Sequence, residues 1–445
     1  MKNLARAAAL SALLLSTTVP AAMPEGSGVA WDVVADLTTE IGPRLAGSQR
    51  EAAARNWAVA RLTTLGFKNV HIEPFTITGF VRGAETAELT APYPHRLHIT
   101  ALGNSVPTPK GGLRAEVVYF ASLDALKAAP DGSLKGKVAF IDNQMQRAQD
   151  GAGYGPYGNA RRQGPAVASA KGALAAVIRS AGTDNNRDPH TGGTNFPAGS
   201  RAIPAGAVSS PDASLIARIA RSGKPMTINL VLEGHPQANM PSGNVVADLP
   251  GRDPSLPPIL VGCHLDSWDL GTGAIDDGAG CAIVTAAALR AHQGGQPLRT
   301  IRVLWAGSEE IGGFGGDAYA KAHASDPHAA AMESDFGADR VWRVGFDMAE
   351  ANKPLRDSIV AALAPWGIVV NPNKANGGTD VEPIIAAQKL AVVDMDQDGT
   401  RYFDLHHTPD DTLDKIDPAQ LEQNVSVWAI VLRILAGEAG PISGG

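Results

Sequence analysis

The chain has 445 residues, 44% of them hydrophobic, and a formal net charge of −7. This length exceeds one ordinary domain and fits two, and the hydrophobic content is that of a globular protein. Because the chain is acidic and has no basic cluster, neither nucleic acid nor an anionic membrane surface is expected as a partner.

The first 22 residues predict a secretory signal peptide. Lys2 and Arg6 precede an apolar run from Ala7 to Leu15, and the small residues around Ala22 suit cleavage. The apolar run is too short to span a membrane as a helix. We therefore expect a secreted or periplasmic protein.

The next part of the chain predicts two helices, the second from Gln49 to Leu65, and then a half-exposed strand from Val70 to Phe75. From about Asn104, short β runs alternate with loops rich in glycine and proline. Residues 148–204 predict long exposed loops, interrupted by a helical piece from Ala166 to Lys171 and a buried strand from Ala173 to Ile178. Near Pro241 the pattern returns to compact α/β. The domains predicted after the signal peptide, residues 1–22, are a main α/β domain formed by residues 23–104 and 239–445 and an inserted β-rich domain, residues 105–238.

Polar residues then follow two predicted strands. The apolar run Ile259 to Val261 leads into a loop containing His264, Asp266, Asp276 and Asp277, and a buried helix begins after Gly280. The β-rich run from Thr300 to Ala306 ends in Glu309 and Glu310. Because α/β sheets bind ligands at the carboxyl ends of their strands, these side chains predict a site.

The two cysteines of the chain, Cys263 and Cys281, lie in the strand and the helix of this region. Export permits a disulfide. Since both segments are predicted to be buried, we expect two small buried side chains rather than a bridge.

Further strand ends lead into Asp335 and Asp347, and a later polar loop carries His406 and His407. Two imidazoles with several carboxylates suit zinc. A pair of zinc ions needs one shared carboxylate, and each ion needs one more carboxylate and one histidine. His264, Asp276, Glu310, His407 and either Asp335 or Asp347 could supply that set.

Two further carboxylates of this region are not needed as zinc ligands. Glu309, adjacent to the candidate ligand Glu310, fits a general base that is not bound to metal. Asp266 lies two residues after His264 and is expected to accept the other ring N–H of that histidine.

These residues carry a resemblance to a known family. The stretches that carry it are Gly42-Pro-Arg-Leu-Ala-Gly-Ser48, His264-Leu-Asp-Ser-Trp-Asp269, Gly273-Ala-Ile-Asp-Asp-Gly278, Glu309-Glu310, Met332-Glu-Ser-Asp335 and His406-His-Thr-Pro-Asp-Asp-Thr412. Together they resemble the secreted dinuclear-zinc exopeptidases, and most closely the plasma glutamate carboxypeptidase (carboxypeptidase Q) group. The resemblance implies an α/β fold with a mixed central sheet flanked by helices, and an inserted protease-associated domain.

The resemblance also implies roles for individual residues. Asp276 would bridge two Zn²⁺ ions and precede a strained peptide bond to Asp277. His264 and Asp335, preferred to Asp347, would complete one zinc site; Glu310 and His407, preferred to His406, would complete the other. Cys263 replaces a glycine common in relatives and is expected to point away from the metals.

The implied reaction is hydrolysis of a peptide bond by a metal-bridging hydroxide, with Glu309 as general base. The loop Gly377 to Asp380 is where we expect the donor to the oxyanion. Asp269 is a candidate partner for the free amine of the substrate. The expected substrates are dipeptides or short peptides with a free N-terminus.

Two other functions share this fold. A receptor-like relative without catalysis would lack ligands or the base, whereas all are present in this sequence. An aminoacyl cyclase with a single zinc would not need both His264 and the bridging arrangement. The loops of the inserted domain could restrict the cleft or support a homodimer.

Overall fold

The computed structural model describes residues 27–445, so the predicted signal peptide, residues 1–22, lies outside the described residues. The helices are α1 (Ser27–Asp36), α2 (Gln49–Thr64), α3 (Leu123–Lys127), α4 (Tyr154–Ala170), α5 (Ser210–Arg221), α6 (Ala279–Gln293), α7 (Phe314–Ala322), α8 (Lys353–Leu363), α9 (Glu382–Gln388), α10 (Tyr402–Leu405) and α11 (Pro418–Gly437). The strands are β1 (Lys68–Val81), β2 (Glu85–Ala91), β3 (His95–Leu97), β4 (Ile99–Ala101), β5 (Leu113–Phe120), β6 (Val138–Ile141), β7 (Ala175–Arg179), β8 (Ala205–Val208), β9 (Met226–Leu232), β10 (His235–Leu249), β11 (Ile259–His264), β12 (Ile301–Ala306), β13 (Ala330–Glu333), β14 (Val341–Asp347), β15 (Val369–Lys374) and β16 (Ala391–Gln397). None of the helices in this part of the chain is long and apolar enough to cross a membrane.

The main sheet has eight strands in the order β1-β10-β12-β11-β13-β16-β14-β15. Strands β12, β11, β13 and β16 run parallel to one another. Strand β10 pairs antiparallel with β1 and β12, and β14 pairs antiparallel with β16 but parallel with β15. The sheet is therefore mixed and carries helices on its faces, which confirms the predicted fold class.

Alternating side chains of β11 pack on opposite faces of this sheet, as expected for a strand buried on both sides. Ile259 and Val261 join the apolar core that includes α1, α6 and α11, and Leu260 joins a second core with Tyr319 of α7 and Ile384 of α9. The unbroken apolar run that predicted this strand reflects burial on both faces.

A second eight-stranded sheet has the order β3-β2-β9-β5-β6-β7-β8-β4. It begins at Glu85, so three of its strands precede residue 105, where the inserted domain was predicted to start. Local sequence patterns did not reveal that these strands belong to the second sheet, because β2 pairs with β9, which lies more than 130 residues later along the chain. The exposed loops predicted for residues 148–204 are wrong in part, because α4 extends over Tyr154–Ala170 and buries one face, whereas β7 lies where a buried strand was expected.

The two cysteines form a disulfide, so the prediction of two separate thiols is wrong. Cys263 lies one residue before the end of β11 and points toward α6, where Cys281 lies in the first turn. Their Cα atoms are 5.1 Å apart, within the range that a disulfide spans. Burial does not distinguish a disulfide-bonded cysteine from a free one. The two cysteines pair because α6 packs against β11 and brings them together.

Candidate metal centre

Three parallel strands end at the same edge of the main sheet and deliver polar side chains there. His264 is the last residue of β11, Glu309 and Glu310 follow β12, and Asp335 lies two residues after β13. The loop after β11 returns Asp276 to this edge, and the loop after α10 brings His407. Segments far apart in sequence thus meet at one edge of the main sheet.

Asp276 lies between the two histidines. Its Oδ1 is 3.0 Å from Nε2 of His264, and its Oδ2 is 3.0 Å from Nε2 of His407. The peptide bond between Asp276 and Asp277 is cis. The two oxygens of one buried carboxylate therefore face two imidazoles, which is the arrangement expected of a bridging ligand.

Each histidine also faces a second carboxylate. Nε2 of His264 is 3.3 Å from Oδ1 of Asp335, and Nε2 of His407 is 2.8 Å from Oε2 of Glu310. Potential ligand atoms of His264, Asp276 and Glu310 lie within 4.8 Å of one another. The donors thus divide into two groups that share Asp276.

The charges of this cluster favour bound cations. Burial raises the pKa of Asp335 and raises that of Glu310 to about 8, and the negative charge of Asp276 adds to both effects. Oδ1 of Asp335 is buried and forms no hydrogen bond with another described residue. A bound divalent cation would give this oxygen a partner and offset the repulsion between the carboxylates. The nitrogen and oxygen donors present are those that zinc prefers.

Asp266 lies beside the centre, but its contacts differ from those predicted. The backbone carbonyl of Asp266, not its carboxylate, accepts the hydrogen bond from Nδ1 of His264, at 2.9 Å. The carboxylate accepts the backbone N–H groups of Glu309 at 3.0 Å and of Glu310 at 3.3 Å. The loop turns after β11, so the alternation of a strand no longer applies at this residue.

Asp269 does not line the cavity at the centre. Both of its carboxylate oxygens accept hydrogen bonds from Nε of Arg82, at 2.8 and 2.9 Å. Since its charge is already paired with a buried arginine, the structure argues against the predicted contact with a substrate amine.

The sequence left two candidates for two of the ligands, Asp335 or Asp347 and His406 or His407, and the structure distinguishes between them. Asp347 pairs with Lys374 at 3.0 Å and accepts the backbone N–H of Gly445, away from the centre. His406 faces His190, whose Nε2 is 3.2 Å from Nε2 of His406. Asp335 and His407 are therefore the members that approach Asp276.

Four of the five candidate ligands, all except His264, line a cavity of about 330 Å³. Its lining residues are Tyr154, Arg161, Arg162, Asp276, Glu309, Glu310, Asp335, Phe336, Thr379, Tyr402, Phe403, His406 and His407. The cavity is near the lower end of the ~300–1,000 Å³ range of ligand pockets, which suits a small substrate.

Comparison with known proteins places this architecture in a family. The chain is 33% identical to carboxypeptidase Q of Bos taurus over 411 residues, which cover 91% of this chain and 85% of that protein. The chain belongs to peptidase family M28. The model of that family matches residues 244–432, a segment that contains each predicted ligand and Glu309.

Solved structures agree with the M28 assignment. The crystal structure of a peptidase M28 precursor from Shewanella amazonensis is 43% identical, with a TM-score of 0.91, over 93% of this chain and 94% of that one. The zinc aminopeptidase of Bacillus subtilis shares the fold, with a TM-score of 0.62 at 18% identity over 91% of this chain and 94% of that one. The identity of the inserted region as a protease-associated domain stays a prediction.

Several cavity residues of this M28 peptidase were missed in the sequence, and three of them, Tyr402, Arg161 and Arg162, carry groups that can donate hydrogen bonds to a substrate. Tyr402 lies in the polar loop that carries the histidines, and Arg161 and Arg162 lie in α4, outside the matched segment. Burial raises the pKa of Tyr402 well above its ordinary value, and Asp276 and Asp335 raise it further, so its hydroxyl keeps its proton. A tyrosine five residues before the candidate ligand His407 was the one available signal.

Proposed function

We propose that this M28 peptidase is a zinc-dependent exopeptidase that binds two zinc ions and hydrolyses dipeptides or short peptides with a free N-terminus. The observation that carries the proposal is the position of Asp276, whose two oxygens each lie 3.0 Å from a different histidine. A single metal ion would need only one oxygen of Asp276 and one histidine, so the second oxygen and histidine support a second ion. Export from the cytoplasm, inferred from residues 1–22, is part of the proposal.

His264, Asp276 and Asp335 would hold one zinc ion, and Asp276, Glu310 and His407 would hold the other. Zinc in such a site supplies a nucleophilic hydroxide near neutral pH and polarises the substrate carbonyl. The backbone carbonyl of Asp266 accepts from Nδ1 of His264, which leaves Nε2 of this ring free to bind metal.

Glu309 is proposed to move the proton. It lines the cavity beside Asp335, and burial raises the pKa of its carboxyl, which favours uptake of a proton at neutral pH. The hydrogen bonds from the backbone of Glu309 and Glu310 to Asp266 fix the position of this segment. Glu309 can therefore accept a proton from water and return it to the leaving amine.

Tyr402 is proposed to donate a hydrogen bond to the oxygen that becomes negative during the reaction. Its protonated hydroxyl lies near Asp276 and Asp335 and lines the cavity. Donors placed where charge develops stabilise the transition state more than the substrate. Thr379, from the loop Gly377 to Asp380 that the sequence indicates as the source of this donor, also lines the cavity.

A matched panel of dipeptides, N-blocked dipeptides and longer peptides, each assayed with and without a chelator, tests the proposal. We expect hydrolysis of the dipeptides, little hydrolysis of the N-blocked ones, and loss of all activity with the chelator. Equal rates for free and blocked dipeptides would contradict an exopeptidase that needs a free N-terminus. No hydrolysis of any substrate by zinc-loaded protein would favour a binding protein.

A further inference from the structure

Two adjacent arginines of α4 line the same cavity as the candidate metal ligands. Arg161 and Arg162 both line the cavity, and Arg161 is 7% exposed. Among the described residues, neither forms an ion pair with a carboxylate within 4.0 Å. The carboxylates that line the cavity thus lie beyond ion-pair distance of both guanidinium groups. Since buried cations are almost always paired, a carboxylate from outside the described residues is expected to pair with them.

The contacts of Arg161 show how close this positive charge lies to the centre. Its NH1 donates to the carbonyl of Thr191 at 3.2 Å and lies 3.4 Å from Nδ1 of His407. Its Nε is buried and forms no hydrogen bond with a described residue. The guanidinium is thus separated from the candidate metal site by the width of one imidazole ring.

The surrounding structure makes room for this guanidinium. A Cβ at Gly192 would lie 2.1 Å from NH1 of Arg161, so the position next to Thr191 accepts no side chain. Tyr154 covers the other side, with its ring centre 5.5 Å from the guanidinium carbon. The arginine is therefore held in place without an acidic partner.

Arg162 extends the same positive region. Burial lowers its pKa, and the neighbouring charge of Arg161 lowers it further, as expected for two cations without an anion between them. Guanidinium groups bind carboxylates through paired hydrogen bonds. The missing partner is therefore expected to be a carboxylate that arrives with the substrate.

We propose that Arg161 and Arg162 bind the C-terminal carboxylate of the substrate, and that this subsite makes dipeptides the preferred substrates. The inference rests on the proposed function and specifies its substrate class. In a dipeptide, only the leaving amine nitrogen and one Cα separate the scissile carbonyl from the terminal carboxylate, a span of about 4 Å. A longer peptide has a neutral amide at this position and leaves the arginines unpaired.

The test compares leucyl-alanine with leucyl-alaninamide, which differ only in the terminal charge. Hydrolysis by the zinc-loaded wild type is measured first, and binding is then measured by calorimetry with the zinc-loaded Glu309→Gln variant. We expect the dipeptide to bind about tenfold to hundredfold more tightly than its amide, as for a charge-assisted hydrogen bond. Equal affinities would overturn the subsite, and this outcome requires no arginine variant.

Arginine variants then locate the effect. With Arg162→Gln or Arg161→Gln in the same background, binding of the dipeptide should weaken about tenfold to hundredfold while that of the amide changes less than about twofold. Arg162→Lys should retain most of the preference. Arg218→Gln, an exposed arginine of α5, is the matched control. Melting temperature and zinc content verify the fold of each variant.

The outcomes separate the two proposals. If the wild type hydrolyses neither compound, both proposals are overturned. If it hydrolyses both at equal rates and the variants bind both equally, the subsite is overturned and the peptidase function stands.

Discussion

The carboxylate of Asp266 accepts the backbone N–H of Glu309 at 3.0 Å. This contact orients the residue proposed to carry the proton, and a second one to the N–H of Glu310 at 3.3 Å orients a candidate ligand. Asp266 is completely buried, so its loss is not compensated by water. A positioning role through the backbone thus replaces the side-chain contact with His264 expected from the sequence.

Replacing Asp266 by Asn should lower kcat about tenfold to hundredfold, the usual effect of losing a residue that orients a metal ligand or base. One amide oxygen remains to accept a hydrogen bond, so zinc content should change less than kcat. Steady-state kinetics and metal analysis measure the two effects separately. An unchanged kcat would remove Asp266 from the mechanism.

Replacing Tyr402 by Phe should lower kcat by about a hundredfold or more with little change in KM, because one donor to a developing oxyanion is lost. The ring and its packing stay, so the melting temperature and zinc content should remain those of the wild type. Tyr93→Phe, an exposed tyrosine, is the control. A Tyr402→Phe enzyme with wild-type kcat would show that another group stabilises the oxyanion.

Replacing Asp269 by Asn tests whether this carboxylate pairs with Arg82 or with the amine of the substrate. Loss of the paired hydrogen bonds with Arg82 should reduce the free energy of unfolding by roughly 1.5–3 kcal/mol, with KM for free dipeptides unchanged. Asp131→Asn, whose side chain is 92% exposed, serves as the control for charge. A raised KM without loss of stability would restore the predicted contact with the substrate amine.

The disulfide between Cys263 and Cys281 closes a short loop around the first candidate ligand, His264. Replacing both cysteines by Ala should reduce the free energy of unfolding by about 3 kcal/mol, the value for a closed loop of roughly this length. Chemical unfolding measures this loss. Titration of the unfolded wild type with a thiol reagent should detect no free thiol, and two free thiols per chain would contradict the bridge.

The positions of His264, Glu310 and Asp335 were predictable because these residues follow buried strands. The apolar runs before His264 and Glu309 marked strand ends, and parallel pairing of β11 with β12 brought those ends together. The exact contacts of Asp266 and Asp269 were not predictable, since each depends on a loop that leaves the regular alternation of a strand.

Residues from the second sheet region were also beyond sequence reasoning. Arg161 lies in α4, in a stretch whose glycines and prolines predicted loops, and packing against β7 stabilises it as a helix. Its position beside His407 depends on how the two sheet regions pack together. No periodicity along the chain encodes a contact between residues 246 positions apart.

The most direct test of a dinuclear centre is the number of zinc ions bound per chain, measured by mass spectrometry of the purified protein after removal of free metal. The account predicts two ions in the wild type and a loss of both in Asp276→Ala, because this residue faces both histidines. One ion or none in a wild-type protein supplied with zinc would contradict it.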